Sequence, residues 1–155
     1  MNQNYKIRKG EERDFSDVLA LIKELALFEK APEKVTNSVE QMIVEQDLFE
    51  LFVVEYQGDV VAMALYYFSY YTWVGKSLYL DDLYVKQEHR GNGIGQELIK
   101  ELFKAARKEN CSRVRWQVLD WNKPAIDLYH KMGATLDGEW INCDFDKNGI
   151  AEFEI

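Results

Sequence analysis

An apolar run, Leu-Tyr-Leu-Asp-Asp-Leu-Tyr-Val at 78–85, leads through a short polar turn into Arg-Gly-Asn-Gly-Ile-Gly at 90–95 and on into a long amphipathic pattern. Strand, glycine turn and helix form one unit. Three glycines at alternate positions lack the Cβ that would restrict φ and hold a ligand at a distance. The turn can therefore aim its N–H groups inward. The first turn of the helix adds unpaired N–H groups and the positive end of its dipole at the same point, which favours a phosphate or pyrophosphate. A dinucleotide fingerprint would need glycine where Gln96 stands, and a P-loop would need Gly-Lys-Ser/Thr, so neither motif is present.

The strand before the turn changes parity. Leu78 and Leu80 alternate on one face, Leu83 and Val85 would fall on the other, and Asp81 and Asp82 lie at the break. One extra residue, a β-bulge at the aspartates, returns both apolar pairs to the core, splays the strand and re-aims a carboxylate. Splaying leaves backbone groups unpaired beside the glycine turn, where a ligand carrying amides of its own can pair with them. Paired aspartates in an apolar strand are costly unless solvated or used.

Elsewhere the periodicity predicts a short strand at Tyr5–Arg8, a helix from an N-cap at Asp14 to about Ala31-Pro32, and a shorter helix over 38–47. Strands at 51–56 and 60–68 flank the hairpin signal Gln57-Gly58-Asp59, and an aromatic loop follows at 69–76, most of its rings read as packing under the sheet. The glycine-led helix runs to about Asn110, a strand covers 113–119, and Asn122 with Pro124 opens a helix that Gly133 stops. A final hairpin pairs 140–146 with 150–155 around Lys147-Asn148-Gly149. This order predicts a mixed α/β fold, a mostly antiparallel sheet of six to seven strands with helices on both faces. At 155 residues the whole chain, 1–155, reads as a single domain.

Acidic residues outnumber basic ones 27 to 19, a net charge of −8 that repels nucleic acid and anionic membranes and draws in cations. A small cationic partner fits; a merely solubilising charge is the alternative. No apolar run reaches membrane-span length, and the polar start Met1-Asn2-Gln3-Asn4 lacks a signal peptide's apolar region, which predicts a cytoplasmic protein. Two cysteines without a C-x-x-C and two histidines give a disulfide framework or a metal site little support.

Arg90-x-x-Gly93-x-Gly95 after a strand resembles the acyl-coenzyme A signature of the GCN5-related N-acetyltransferase (GNAT) family. Within it, Ile-Lys-Glu-Leu-Ala at 22–26, Tyr-Tyr-Phe at 66–68, the run from Trp73 to Asp82, the glycine turn, and Trp-Asn-Lys-Pro-Ala-Ile-Asp-Leu-Tyr at 121–129 resemble spermidine/spermine (diamine) and thialysine N-acetyltransferases. The resemblance implies acetyl-coenzyme A along Leu83, Tyr84 and Val85, with its pyrophosphate on Arg90, Gly91, Asn92, Gly93, Ile94 and Gly95, and with Asn122 in support. It implies Tyr129 as the acid that protonates the departing thiolate, and Asp81 where those enzymes carry a glutamate implicated in deprotonating the amine. Asp82, Trp73, Glu29 and Phe28 would line the amine site, Phe28 replacing the family's tyrosine. A homodimer is implied too.

The chemistry asks for these residue types. An alkylammonium has a pKa of about 10.4, and only its free base attacks a thioester. A carboxylate attracts the cation and accepts its proton, directly or through water, while a tyrosine donates to the leaving thiolate. Two other readings remain open at this point: a protein or peptide amine as acceptor, and a non-catalytic module that senses acyl-coenzyme A.

Overall fold

A computed structural model describes residues 4–153. They divide into two compact units, one ending at Gln117 and the other beginning at Val118.

In the first unit, Gln57 and Gly58 both take positive φ, 53° and 97°, forming a two-residue hairpin turn between β2 (Glu50–Tyr56) and β3 (Asp59–Tyr71). β1 (Tyr5–Lys9) pairs antiparallel with β2, and β3 pairs antiparallel with β4 (Gly75–Val85). Beyond α3 (Ile94–Lys108) the chain returns as β5 (Arg113–Arg115), parallel to β4. The sheet order is therefore β1-β2-β3-β4-β5.

Alternation along these strands sends side chains to two cores. On one face Leu78 and Leu80 pack with Ile94, Leu98, Leu102 and Ala106, the apolar stripe of α3. On the other, Val53, Met63 and Tyr84 pack with Phe15, Val18 and Leu21 of α1 (Phe15–Phe28) and Met42 of α2 (Val39–Val44). Helices on both faces of a mixed, mostly antiparallel sheet agree with the predicted class. No described helix is long and apolar enough to cross a membrane.

Asp14 precedes α1 as predicted, but its carboxylate does not cap that helix. It is buried, takes two bonds from the Arg8 guanidinium at 2.6 and 2.7 Å, and accepts from the Glu11 N–H at 2.8 Å. Arg8 also holds Glu55, which ties β1, β2 and the start of α1 together.

In the second unit α4 (Lys123–Lys131) has Pro124 in its first turn and closes at Gly133, φ 86°. The predicted C-terminal hairpin is corrected. Residues 140–146 are not a strand, and Lys147–Ala151 form a short helix, α5. Asp146 decides this: its side chain accepts from the Gly149 N–H at 2.8 Å and its carbonyl from the Ile150 N–H, closing a helical turn where Asn148-Gly149 promised a hairpin. Glu154 and Ile155, part of that prediction, lie outside the described residues. The strand expected at 113–119 shrinks to Arg113–Arg115, because β4 bulges two residues after Tyr79, its last partner for β5. The sheet thus has five strands among the described residues, not six or seven.

Arg8 beside it holds the Asp14 carboxyl below its ordinary range, so this ion pair stabilises the fold above that range and loses its effect as pH falls through the depressed value. Asp14→Ala should cost about 3 kcal/mol near neutrality, because a half-buried guanidinium loses its main partner. The difference from wild type should shrink toward about pH 3, as chemical denaturation at the two pH values would show.

Candidate active site

The bulge falls where parity placed it. Leu65 pairs with Asp82 and Tyr66 with Leu80, leaving Asp81 as the extra residue of β4. Leu80 and Leu83 both pack toward α3, so the two aspartates between them share the opposite face. α1 ends over that same face; Lys30, at φ 61°, terminates it and Glu29 is its C-cap residue. Glu29, Asp81 and Asp82 thus form an anionic group made from one helix end and one bulge. Burial pushes the Asp82 carboxyl up to about 6, with further repulsion from Asp81 and Glu29. Desolvation also raises Asp81 and Glu29, although Asp81 keeps a solvent-exposed side. Carboxylates held this way attract a cation and can take a proton near neutral pH.

The next four residues form an open edge. The Lys86 N–H donates to the Val61 carbonyl at 3.0 Å, so the Val85 carbonyl, at the other end of the same peptide, points away from β3. By alternation the N–H and C=O of Leu83 point the same way, while those of Tyr84 face β3. Leu83 and Val85 therefore supply the edge groups, and Tyr84 supplies a ring. No strand pairs with this edge from Leu80 onward among the described residues.

Gly91 and Gly93 both have positive φ, 78° and 75°. A Cβ at Gly91 would meet nothing, and one at Gly95 would meet only the Leu83 side chain at 3.7 Å, so the space above the turn is open. The first donor back to the loop is the Glu97 N–H, to Gly93 at 3.1 Å, which leaves the N–H groups of Ile94, Gly95 and Gln96 ahead of the helical ladder. Ile94 anchors the helix start in the core, and the Asn92 amide donates to the His89 and Arg90 carbonyls, pinning the loop. Acetyl-coenzyme A fits these features: its diphosphate suits the donors and its amides suit the edge.

Arg90 joins the two halves. Its Nε donates to the edge carbonyl of Val85 at 2.9 Å, and its guanidinium lies over the rings of Tyr84 and Phe28, 5.3 and 5.7 Å from their centroids. Phe28 thus sits between the helix end and the glycine turn, supporting a cation through its ring.

In the second unit, Asn122 stands before α4 with its side chain outside any capping bond, its carbonyl accepting from Ile126. Tyr129 lies late on α4, half-buried, its phenol raised by desolvation and so kept protonated. Trp73 is not brought to the carboxylates within one chain. β3 and β4 form a hairpin longer than predicted, and Trp73 caps its far end, 74% exposed, about six strand residues or 20 Å from Asp81. Tyr70 at that tip is exposed as well, so the aromatic loop is only partly packed. Sequence reasoning missed a row on the carboxylate face: Tyr67, Tyr79 and Arg115, neighbours across β3, β4 and β5. Only the strand register reveals it.

Comparison with known proteins shows the family and the fold. The sequence model of the "Acetyltransferase (GNAT) family" matches residues 14–134. A Bos taurus thialysine N-epsilon-acetyltransferase is 44% identical over 140 residues, 83% of this chain and 82% of that one. A Bacillus subtilis spermine/spermidine N(1)-acetyltransferase is 31% identical over 88 residues, 54% of this chain and 58% of that one. Among solved structures, an integron cassette protein from the mobile metagenome of V. cholerae superimposes with a TM-score of 0.76 at 22% identity, covering 97% of this chain and 98% of that one, a likeness of fold.

A carboxyl raised by folding penalises the native state once it ionises. The penalty from Asp82 is present above about 6 and relieved below the ordinary value of 3.8. Asp82→Asn should therefore stabilise the protein by at most about 3 kcal/mol at about pH 7.5, the gain vanishing toward about pH 4 in denaturant titrations.

Proposed function

This chain belongs to the acetyltransferase (GNAT) family, and from that premise we propose that it transfers acetyl from acetyl-coenzyme A directly to the primary amine of a small cationic acceptor. The acceptor is a lysine analogue such as thialysine, or a diamine or polyamine. One observation carries the reading: the β4 bulge turns two carboxylates onto the α1 face while no strand among the described residues pairs with the edge groups of Leu83 and Val85. The family match runs across both compact units, which supports reading 1–155 as one domain.

Acetyl-coenzyme A supplies an activated thioester. The N–H groups of Gly91 to Gly95 hold its diphosphate, with the α3 dipole behind them, and the guanidinium of Arg90 adds positive charge. Leu83 and Val85 align the carrier's amides along β4, and the uncommitted side chain of Asn122 steadies it. An edge N–H polarises the thioester carbonyl. The acceptor's ammonium group is drawn to Glu29, Asp81 and Asp82, with Phe28 shielding one side. Asp81, through its solvent-exposed side, takes the proton by way of water, while Asp82 and Glu29 supply charge. The free amine attacks the thioester, and Tyr129, protonated at neutral pH, donates to the departing thiolate. No covalent enzyme intermediate is needed.

The reading extends to a homodimer, supported by the exposed tip of Tyr70, Trp73 and Val74. A second copy would let Trp73 reach an amine site that its own chain keeps distant. Two free cysteines fit a reducing compartment, the cytoplasm.

Thiol release from acetyl-coenzyme A across a panel of thialysine, lysine, spermidine and basic peptides tests the assignment. Small amines should turn over; turnover of peptides alone would move the acceptor to a protein, and coenzyme binding without turnover would make the chain a sensor. Tyr129→Phe should lower kcat about 100-fold with coenzyme affinity retained. Asp81→Asn should lower kcat/KM most at acid pH, the loss narrowing toward the amine's own pKa of about 10. Light scattering should find two copies.

A further inference from the structure

β5 contributes two arginines to the carboxylate face. Val114 packs toward α3, so Arg113 and Arg115 point the opposite way, beside Ser77 and Tyr79 of β4. Tyr67 and Tyr79 stack, ring centroids 5.2 Å apart at 29°, and with Arg115 they form a continuous row across three strands. Asp81 borders that row. Burial is the main cause raising the Tyr79 phenol; Tyr67 and Asp81 raise it further and Arg115 opposes them, which places a carboxylate and a guanidinium around one ring.

Both arginines are half-buried, yet neither forms an ion pair among the described residues. Arg113 lies 3.6 Å from the centroid of the Tyr71 ring, and its buried Nε has no hydrogen-bond partner. The contrast with Arg8, also half-buried but holding two carboxylates, is informative in a chain with 27 acidic residues. A sheltered guanidinium without an anion is expensive to keep, so this pair fits an anion that the chain does not itself provide.

We infer that Arg115, with Arg113 behind it, is a carboxylate subsite that selects acceptors built as amino acids with a terminal side-chain amine. This deepens the proposed function and rests on it. The amine end lies at Asp81 and Asp82, and the α-carboxylate takes two parallel bonds from the Arg115 fork. From Arg115 to Asp81 is one strand across, about 5 Å, and two residues along, about 7 Å, a span that a lysine-length chain covers. The Tyr67–Tyr79 pair floors the methylenes between them. A polyamine has no carboxylate and sets a second cation against Arg115, so the same group that favours the amino acid disfavours the polyamine.

The test compares lysine with lysinamide and with cadaverine, the same chain without its carboxylate, in the wild-type enzyme and in Arg115→Gln and Arg115→Lys. Wild type should prefer lysine in kcat/KM. Arg115→Gln should lower the lysine-to-cadaverine ratio at least tenfold, chiefly through KM for lysine, and Arg115→Lys should restore part of it. Calorimetry of lysine binding to the coenzyme-loaded protein supplies a readout independent of turnover. Arg115-dependent binding without turnover of any amine would refute the proposed function and leave the subsite standing. Equal losses for lysine and cadaverine, no wild-type preference over lysinamide, or no lysine binding would overturn the subsite.

Discussion

β4 holds one residue more than β3 can pair, and the surplus at Asp81 sets the geometry on both sides of it. Upstream, Leu78 and Leu80 face α3; downstream, Leu83 and Val85 return to that face. An unbroken strand would have put one aspartate against the apolar core. The bulge instead puts both on the α1 face, where solvent and the end of α1 can be shared. It also ends the β4–β5 ladder after Tyr79, exposing an edge that leads straight to the glycine turn. An acidic group, an open amide edge and anion donors thus follow in order along the fifteen residues from Asp81 to Gly95.

The electrostatics of this arrangement are asymmetric. Carboxylates collect on the α1 face of the bulge, and the fold tolerates their mutual repulsion and desolvation, as the raised Asp82 shows. Such strain is the usual cost of a prepared site. Guanidinium groups lie on either side. Arg90 leans on Tyr84 and Phe28 beside the glycine turn, while Arg113 and Arg115 line the β5 end of the same face. An acceptor with charges of both signs would meet its complement at each end.

Much of this was legible in the sequence because it is local. The parity change at Asp81-Asp82 gave the bulge, and the alternate glycines gave the turn with its positive φ. Asn122, Pro124 and Gly133 bounded α4. What escaped depends on distant partners. That Asp14 serves Arg8 instead of capping α1 follows from a strand neighbour six residues back, and the row Tyr67, Tyr79, Arg115 exists only once three strands are in register. Trp73 was grouped with the amine site by resemblance, yet the length of the β3–β4 hairpin carries it to the far tip. The C-terminal hairpin failed for a local reason: Asn148-Gly149 serves either a hairpin or a helical turn, and the Asp146 carboxylate chose the second.

A crystal structure with acetyl-coenzyme A bound tests the central claim most directly. The account predicts the diphosphate on the N–H groups of residues 91–95 and the carrier's amides paired with Leu83 and Val85, its thioester facing Asp81 and Asp82. A coenzyme bound away from the β4 edge, or with its thioester turned toward the α3 face, would contradict it.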